Sequence, residues 1–139
     1  MLLKPKNTKY AKSQHGRLSR VESAFRFPKF GRYALIAQES ALLSARQIES
    51  CRQVLNRHFK RKGKIWIRAF PDFPVTSKPT EVRMGKGKGA VKAWVCRVRP
   101  GKILFEVDGI VGARAASAFH AAQKKLPIQT LFFQAPTKK

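Results

Sequence analysis

Seven residues at positions 83–89, Arg-Met-Gly-Lys-Gly-Lys-Gly, constrain the fold of this chain more than any other stretch. Three glycines within five positions disfavour a helix, because each costs about 1 kcal/mol relative to alanine. Glycine also lets a backbone lie close to phosphates, while each lysine supplies a movable charge. The stretch therefore predicts an RNA-facing loop, here termed the finger, which consists of Arg83, Met84, Gly85, Lys86, Gly87, Lys88 and Gly89.

Two other phosphate-binding motifs do not fit the finger. A Walker loop needs Ser or Thr directly after its last lysine, but glycine follows both Lys86 and Lys88. A dinucleotide fingerprint needs its third glycine three residues after the second, with a helix opening there, whereas an alternating, strand-like segment follows Gly89. A solvated, flexible lysine loop remains open as the alternative on these residues alone.

The charge of the whole chain favours a polyanionic partner. Its 139 residues suit one domain, and 30 Lys+Arg against 7 Asp+Glu give a formal charge of +23. Such self-repulsion favours a complex with nucleic acid, an anionic membrane or an acidic protein. The cations fall in three separate clusters and no run of eighteen apolar residues exists, which argues against a membrane. The N-terminus is not expected to be a signal peptide, because a proline interrupts it and no apolar core follows.

The cation spacing divides the chain into three predicted segments. Residues 1–22 form a basic arm that cannot build a core and is expected to order on RNA, with Tyr10 or His15 free to stack on a base. Residues 23–134 form the folded domain, and 135–139 a frayed tail. A free solubilising tail is the alternative for the arm. The arm residues predicted to bind rRNA are Lys4, Lys6, Lys9, Lys12, Arg17 and Arg20.

Hydrophobic periodicity predicts an α+β domain with two helices on a mixed sheet. Strands are expected near 23–27, 32–38, 64–70 and 128–133, with a hairpin of 90–99 and 103–107 around a type II turn at Pro100-Gly101. The first helix begins at the capping box Ser44–Gln47 and ends in a cationic turn before Gly63; the second spans 111–125. The proline-rich segment between them, 71–79, is expected to be a stiff connection that cannot join a central ladder.

Basic residues off the buried stripe of the first helix, and on the strand after it, add a second predicted RNA-binding surface. They are Arg46, Arg57, Lys60, Arg61, Lys64 and Arg68. A solvated helix face is the ordinary alternative, but such faces usually alternate charge and this one offers only Glu49.

No catalytic, cofactor or metal site is predicted. The three histidines lack ligand spacing, and Cys51 and Cys96 are expected to be reduced core thiols. Glu106 and Asp108 share one strand face, but Asp108 beside Gly109 is typical of a turn. An RNA-processing or RNA-modifying enzyme that uses the basic surfaces as a substrate track is the alternative function.

These segments resemble the large-subunit ribosomal protein family called L-sixteen in bacteria, related to the archaeal and eukaryotic L-ten-e proteins. The resemblance rests on the opening Lys-Pro-Lys-x-Thr-Lys-Tyr and on Ser-Ala-Arg-Gln-Ile-Glu at 44–49, Lys-Gly-Lys-Ile-Trp-Ile-Arg at 62–68, Phe-Pro-Asp at 70–72, Lys-Pro at 78–79, the segment 82–89, Pro-Gly-Lys at 100–102, Glu-x-Asp-Gly at 106–109 and Lys-Leu-Pro-Ile at 125–128. It implies an α/β-hammerhead fold and a non-enzymatic protein of the large subunit that is not a homo-oligomer. The implied partners are large-subunit rRNA, neighbouring ribosomal proteins and A-site tRNA, with the finger near the peptidyl transferase centre.

Departures from the family pattern suggest an organellar ribosome. Family members usually have a glycine-rich stretch before the first helix, where this chain has Phe-Pro-Lys-Phe-Gly-Arg-Tyr at 27–33. Arginines usual in the first helix are replaced here by Ser50, Gln53 and Val54 or their neighbours. A mitochondrial ribosome is the first expectation, followed by a plastid ribosome and then the bacterial cytoplasm.

Overall fold

Seven strands and two helices form in the part of the chain that the computed structural model describes, residues 3–18, 21–22 and 27–136. In order they are β1 (Tyr33–Ala37), β2 (Ala41–Ser44), α1 (Ala45–His58), β3 (Lys64–Ile67), β4 (Phe73–Ser77), β5 (Ala90–Val98), β6 (Ile103–Asp108), α2 (Gly112–Gln123) and β7 (Thr130–Gln134). The strand expected near 23–27 falls almost wholly outside the described residues, as do Arg20 and residues 137–139.

The α+β class with two helices is confirmed, but the single mixed sheet is wrong. The strands form a four-stranded sheet in the order β3-β6-β1-β7 and a three-stranded sheet in the order β2-β5-β4. Every pairing among these described strands is antiparallel. One hydrophobic core joins the two sheets, since Leu43 and Val98 of the three-stranded sheet cluster with Leu35 and Phe105 of the four-stranded sheet.

The predicted hairpin of β5 and β6 is also wrong. The turn itself forms: Lys102 N–H donates to Arg99 O at 3.2 Å, and Gly101 has φ +89°, as a type II turn requires. However, Gly101 N–H donates to Ala37 O at 2.8 Å and Ala37 N–H to Lys102 O at 2.9 Å. The turn therefore bonds to the end of β1, and the chain passes from one sheet to the other.

The proline-rich segment contributes a strand that the sequence did not predict. β4 includes Pro74 and lies at the edge of the three-stranded sheet, where a missing N–H is tolerated. The expectation that this segment avoids a central position holds. The short strand β2, at the opposite edge, was not predicted either.

Both helices pack their predicted stripes into the core. Ser44 accepts the N–H of Gln47, and the Gln47 side chain accepts the N–H of Ser44, so the predicted capping box begins α1. Ile48, Cys51, Leu55 and Phe59 are fully buried. In α2 the buried residues are mostly alanines, which bring the helices close enough for Cys51 Sγ to lie 3.5 Å from Ala122 O.

The end of α1 differs from the expectation. The helix ends at His58 with Phe59 as its cap, five residues before the glycine expected to terminate it. Lys60 and Arg61 make the turn, with φ +50° and +62°. Arg61 N–H donates to Asn56 O at 3.2 Å and Lys60 N–H to Arg57 O at 3.1 Å, which satisfies carbonyls at the helix end.

The buried thiols make alkaline stability testable. Burial raises the pKa of Cys51 to about 11 from an ordinary value of 9.0, and burial raises the pKa of Cys96 as well. An unfolded chain ionises its thiols near pH 9 whereas folded Cys51 keeps its proton, so unfolding releases a proton and stability falls as pH rises from about 9 to 11. Urea unfolding across this range should show a smaller decline for Cys51→Ala; an equal decline would contradict the assignment.

Candidate nucleic-acid interface

The finger is an exposed loop between β4 and β5. Residues 81–88 are all exposed, and Met84 is 97% exposed. Gly85 and Gly87 have φ +94° and +86°, and a Cβ on either would meet nothing within 4 Å. Glycine is therefore favoured at both positions because of the left-handed backbone, and not because a neighbouring group excludes a side chain. Lys86 between them is also left-handed, with φ +52°.

The base of the finger is fixed to β4. A Cβ on Gly89 would lie 2.4 Å from Ser77 O, so glycine is required there for close packing of two backbones. Lys78 Nζ donates to Gly85 O across the loop. The loop is thus packed against β4 at its base and is held across its middle by the Lys78 hydrogen bond.

The arm reaches the finger through two hydrogen bonds, here termed the clasp. Lys12 Nζ donates to Lys88 O at 2.8 Å, and Lys88 Nζ donates to Ser13 O. The two exposed segments are about 75 residues apart in sequence. The clasp places the cations of the arm and the finger on one continuous surface.

Further contacts hold the arm against the domain. The His15 ring meets Phe73 edge-on at 5.8 Å, and Arg97 lies over the same ring at 5.0 Å. Arg97 also donates to Arg17 O at 3.4 Å, and Leu3 belongs to the core cluster. The described arm residues therefore pack on the domain, and the boundary predicted after residue 22 stays a prediction. Ordering of the arm by RNA remains a prediction.

The two aromatic side chains proposed for base stacking in the arm differ in access. His15 is occupied by Phe73, whereas Tyr10 is 75% exposed and has Lys9 Nζ 5.7 Å from its ring centre. Tyr10 is thus the one of the two that can accept a base without breaking a packing contact.

Most cations predicted to bind RNA are exposed. Those with exposed side chains are Lys4, Lys6, Lys9, Lys12, Arg17, Arg46, Arg57, Lys60, Arg61 and Lys64. Arg68 is also exposed, but Nη1 of its guanidinium bonds to Glu106 Oε1 at 2.7 Å.

A second cationic site lies at the end of α1. Arg57, Lys60 and Arg61 line an open depression of about 450 Å³ together with Gln53 and Asn56. Two consecutive non-glycine residues in the left-handed region are each strained by roughly 1–2 kcal/mol. Left-handed residues commonly end helices, and strained residues also cluster at functional sites, so RNA binding by this turn stays a prediction.

Comparison with known proteins agrees with this geometry. The chain matches the family described as Ribosomal protein L16p/L10e over residues 5–133. It belongs to this family. It is 50% identical to "Large ribosomal subunit protein uL16" of Parvibaculum lavamentivorans over 135 residues, 97% of each chain. The proteins with the same description from Erythrobacter litoralis and Thioalkalivibrio sulfidiphilus are 52% and 53% identical, covering 93% and 94% of this chain and 90% and 96% of theirs.

Glu106 has a role in this L16p/L10e member that the sequence did not predict. Its carboxylate is fully buried and accepts the N–H of Phe30 at 2.7 Å and of Gly31 at 3.1 Å, besides pairing with Arg68. A single glutamate within the apolar strand β6 was the available signal, since an unpaired charge is rarely fully buried. Glu106 and Asp108 do not act as a pair: Asp108 Oδ1 accepts the N–H of Gly109 at 2.8 Å, as expected of a turn residue.

Two further features concern the described ranges, namely metal-binding clusters and membrane-spanning helices. No group of three or more histidines, cysteines or carboxylates there could hold a metal ion. Among the described residues, neither helix is long and apolar enough to cross a bilayer.

The strained turn after α1 gives a prediction for this ribosomal protein. Replacing Lys60 and Arg61 together with glycine relieves left-handed strain, so urea unfolding should show roughly 1 kcal/mol of added stability after the glycine entropy cost is subtracted. The same change removes two cations, so the salt slope of rRNA binding should fall by about 1.4–1.8. Lys62→Gly is the matched control: it removes an adjacent cation that is not left-handed, and should weaken binding without stabilising the fold. Unchanged rRNA affinity of the double variant would remove this turn from the interface.

Proposed function

We propose that the chain is a structural constituent of the large ribosomal subunit that neutralises and positions large-subunit rRNA. The observation that carries the proposal is the continuous basic surface of arm, clasp and finger, in a chain of formal charge +23. Family membership supports it, because the relatives are described as large-subunit proteins. As a ribosomal protein of this family the chain is a structural component and not an enzyme.

We further propose that the finger helps to position tRNA at the A-site, near the peptidyl transferase centre. Lys86 is exposed and has no partner within the described residues. The glycines on either side of it, Gly85 and Gly87, also have open space above them. Arg83 is exposed beside Lys86. These two cations can meet the acceptor end of a tRNA, while Lys78 and Lys88 hold the loop. Binding, rather than acid–base chemistry, is the role of the lysines.

The compartment of this ribosome remains a proposal. The relatives compared are bacterial, at 50–53% identity over nearly the full chain. This identity is compatible with a bacterial ribosome and with an organellar ribosome of bacterial type. A mitochondrial ribosome remains our first hypothesis, because this chain differs from the usual family pattern in two places. The segment before α1 is altered, and arginines usual within α1 are replaced. Fractionation of cells into organelles and cytosol, followed by antibody detection of the chain, separates these alternatives.

Sedimentation tests the main proposal. In a sucrose gradient of lysate, the chain should move with the large subunit and stay there in moderate salt. It should not form oligomers of its own, and it should be released only with rRNA unfolding or high salt. A free pool at the top of the gradient, together with RNA-processing activity in those fractions, would instead favour the enzyme alternative.

A further inference from the structure

An aromatic and cationic cluster lies at the open edge of the four-stranded sheet. β3 is an edge strand whose one paired neighbour among the described strands is β6. Ile65 and Ile67 pack toward the core, which leaves Trp66 on the opposite face. The Phe30 ring stacks on Trp66 with centroids 6.1 Å apart and planes 21° from parallel. Lys64 Nζ lies 5.2 Å from the Trp66 ring, and Arg68 Cζ lies 5.0 Å from the Phe30 ring.

The exposed aromatic of this cluster is held in place by buried groups. Phe30 is 54% exposed, yet its N–H donates to the fully buried carboxylate of Glu106. The next residue, Gly31, packs so closely that a Cβ would lie 2.6 Å from Val107 O. Burial of a half-exposed ring contributes little to stability. The anchoring therefore holds the Phe30 ring beside Trp66, partly in solvent, at a cost in conformational entropy. Such preorganisation is what a stacking platform needs.

A groove runs beside this cluster. It is an open cavity of about 440 Å³, within the range of small-ligand sites. Phe30, Trp66 and Arg68 line it from the strand side, and Arg52 and Asn56 from α1. Arg52 is held toward Glu49 by a 2.6 Å ion pair. Arg68 is paired with Glu106 at 2.7 Å, and each arginine keeps further N–H donors for a phosphate. The groove therefore combines a π-face, an amide that can read a base edge, and two ion-paired arginines at its rim.

We propose that this groove, the Trp66 groove, binds an unpaired nucleobase of an RNA strand. The base stacks on Trp66 in place of the Lys64 ammonium, which moves to the adjoining phosphate. Asn56 faces the base edge, and Arg52 and Arg68 lie on the flanking backbone. Unpaired RNA bases are bound in this way, by aromatic faces with cations on the backbone. A protein strand could also add to the open edge of β3, but the cationic rim favours the polyanion.

The inference rests on the proposed ribosomal function, and its test uses RNA with and without bases. Trp94→Phe leaves Trp66 as the single tryptophan, so its fluorescence reports on the groove. The full-length variant is titrated with an oligoadenylate and with an abasic oligomer of equal length and charge. The oligoadenylate should quench Trp66, and the abasic oligomer should bind without quenching. Equal quenching by both would mean that phosphates alone bind there, and quenching only by an extended acidic peptide would mean that the edge takes a protein strand.

Substitutions provide the second arm of the test. Trp66→Leu should weaken oligoadenylate binding roughly 5- to 160-fold, the range for loss of one stacked base, and leave abasic binding within about twofold. Trp66→Tyr should keep most of the affinity, which guards against a folding defect in the leucine variant. Phe70→Leu is the matched control, because Phe70 is 47% exposed, follows β3 and does not line the groove. Equal losses for Trp66→Leu and Phe70→Leu would overturn the groove assignment.

The two proposals fail separately. If the natural chain does not sediment with the large subunit, the ribosomal function fails. If it does, and Trp66→Leu leaves oligoadenylate affinity unchanged, the groove alone is wrong.

Discussion

Replacing Glu106 with alanine is expected to destabilise the fold by about 3 kcal/mol. Breaking a buried ion pair from one side typically costs 3–5 kcal/mol, because the remaining charge loses its partner. The Arg68 side chain is 32% exposed and can regain some water, which places the loss at the lower end of that range. The change also leaves the N–H groups of Phe30 and Gly31 without their acceptor. Urea unfolding followed by circular dichroism measures the loss directly.

The second ion pair of the described chain serves as the control. Glu49 Oε1 and Arg52 Nη2 are similarly close, at 2.6 Å, but these side chains are 25% and 33% exposed. The bond from Arg52 lowers the pKa of Glu49, yet such surface pairs contribute about 0–1 kcal/mol. Glu49→Ala should therefore cost far less than Glu106→Ala. Equal costs for the two variants would show that burial of the Glu106 carboxylate does not govern its contribution.

The elements of this fold could be predicted where the signal is local. The capping box at Ser44, the stripe of α1 and the strand β5 depend on neighbouring residues, and the structure confirms each. Exposure of the finger followed from its glycines in the same way. In each case the spacing of side chains along a few turns or pleats decides the outcome.

Pairing between strands could not be predicted, because alternating hydrophobic residues indicate a strand but do not indicate which other strand it pairs with. The turn at Gly101 was predicted correctly, yet the chain leaves β5 in one sheet and enters β6 in the other. The two bonds between this turn and Ala37 depend on residues more than sixty positions away. Likewise Pro74 excludes a central strand but not an edge strand, so β4 could not be inferred from the prolines.

The free cations of the interface could not be separated from the occupied ones by sequence. Lys86 and Lys88 are equivalent in the Gly-Lys pattern, but only Lys88 bonds to the arm. Lys60 and Arg61 look like a last helical turn before Gly63, yet they carry the left-handed turn themselves. Propensity favours glycine at such positions, so the strain became visible only in the backbone angles.

Neutralising the finger lysines one at a time should have unequal effects on tRNA binding. Lys86→Gln removes an exposed cation that has no partner among the described residues, so the slope of log affinity against log salt should fall by about 0.7–0.9. Lys88 is already bonded to Ser13 O, so Lys88→Gln should lower the slope less and instead release the clasp. Lys12→Gln removes the other bond of the clasp, and Lys9→Gln is its control in the arm, where Lys9 meets Tyr10 instead.

The measurement is binding of A-site tRNA to large subunits that carry each variant, over a series of salt concentrations. The defect of Lys86→Gln should be largest at low salt and shrink as salt rises, because the variant has fewer counterions to release. NMR order parameters of the Gly85 and Gly87 backbone in the free protein should fall in Lys88→Gln and Lys12→Gln but not in Lys9→Gln, which isolates the clasp from phosphate binding. If tRNA affinity is unchanged for Lys86→Gln at every salt concentration, the finger is a solvated loop and does not position tRNA. If Lys86→Gln and Lys88→Gln lower the salt slope equally, Lys88 also contacts the RNA and the clasp opens on binding.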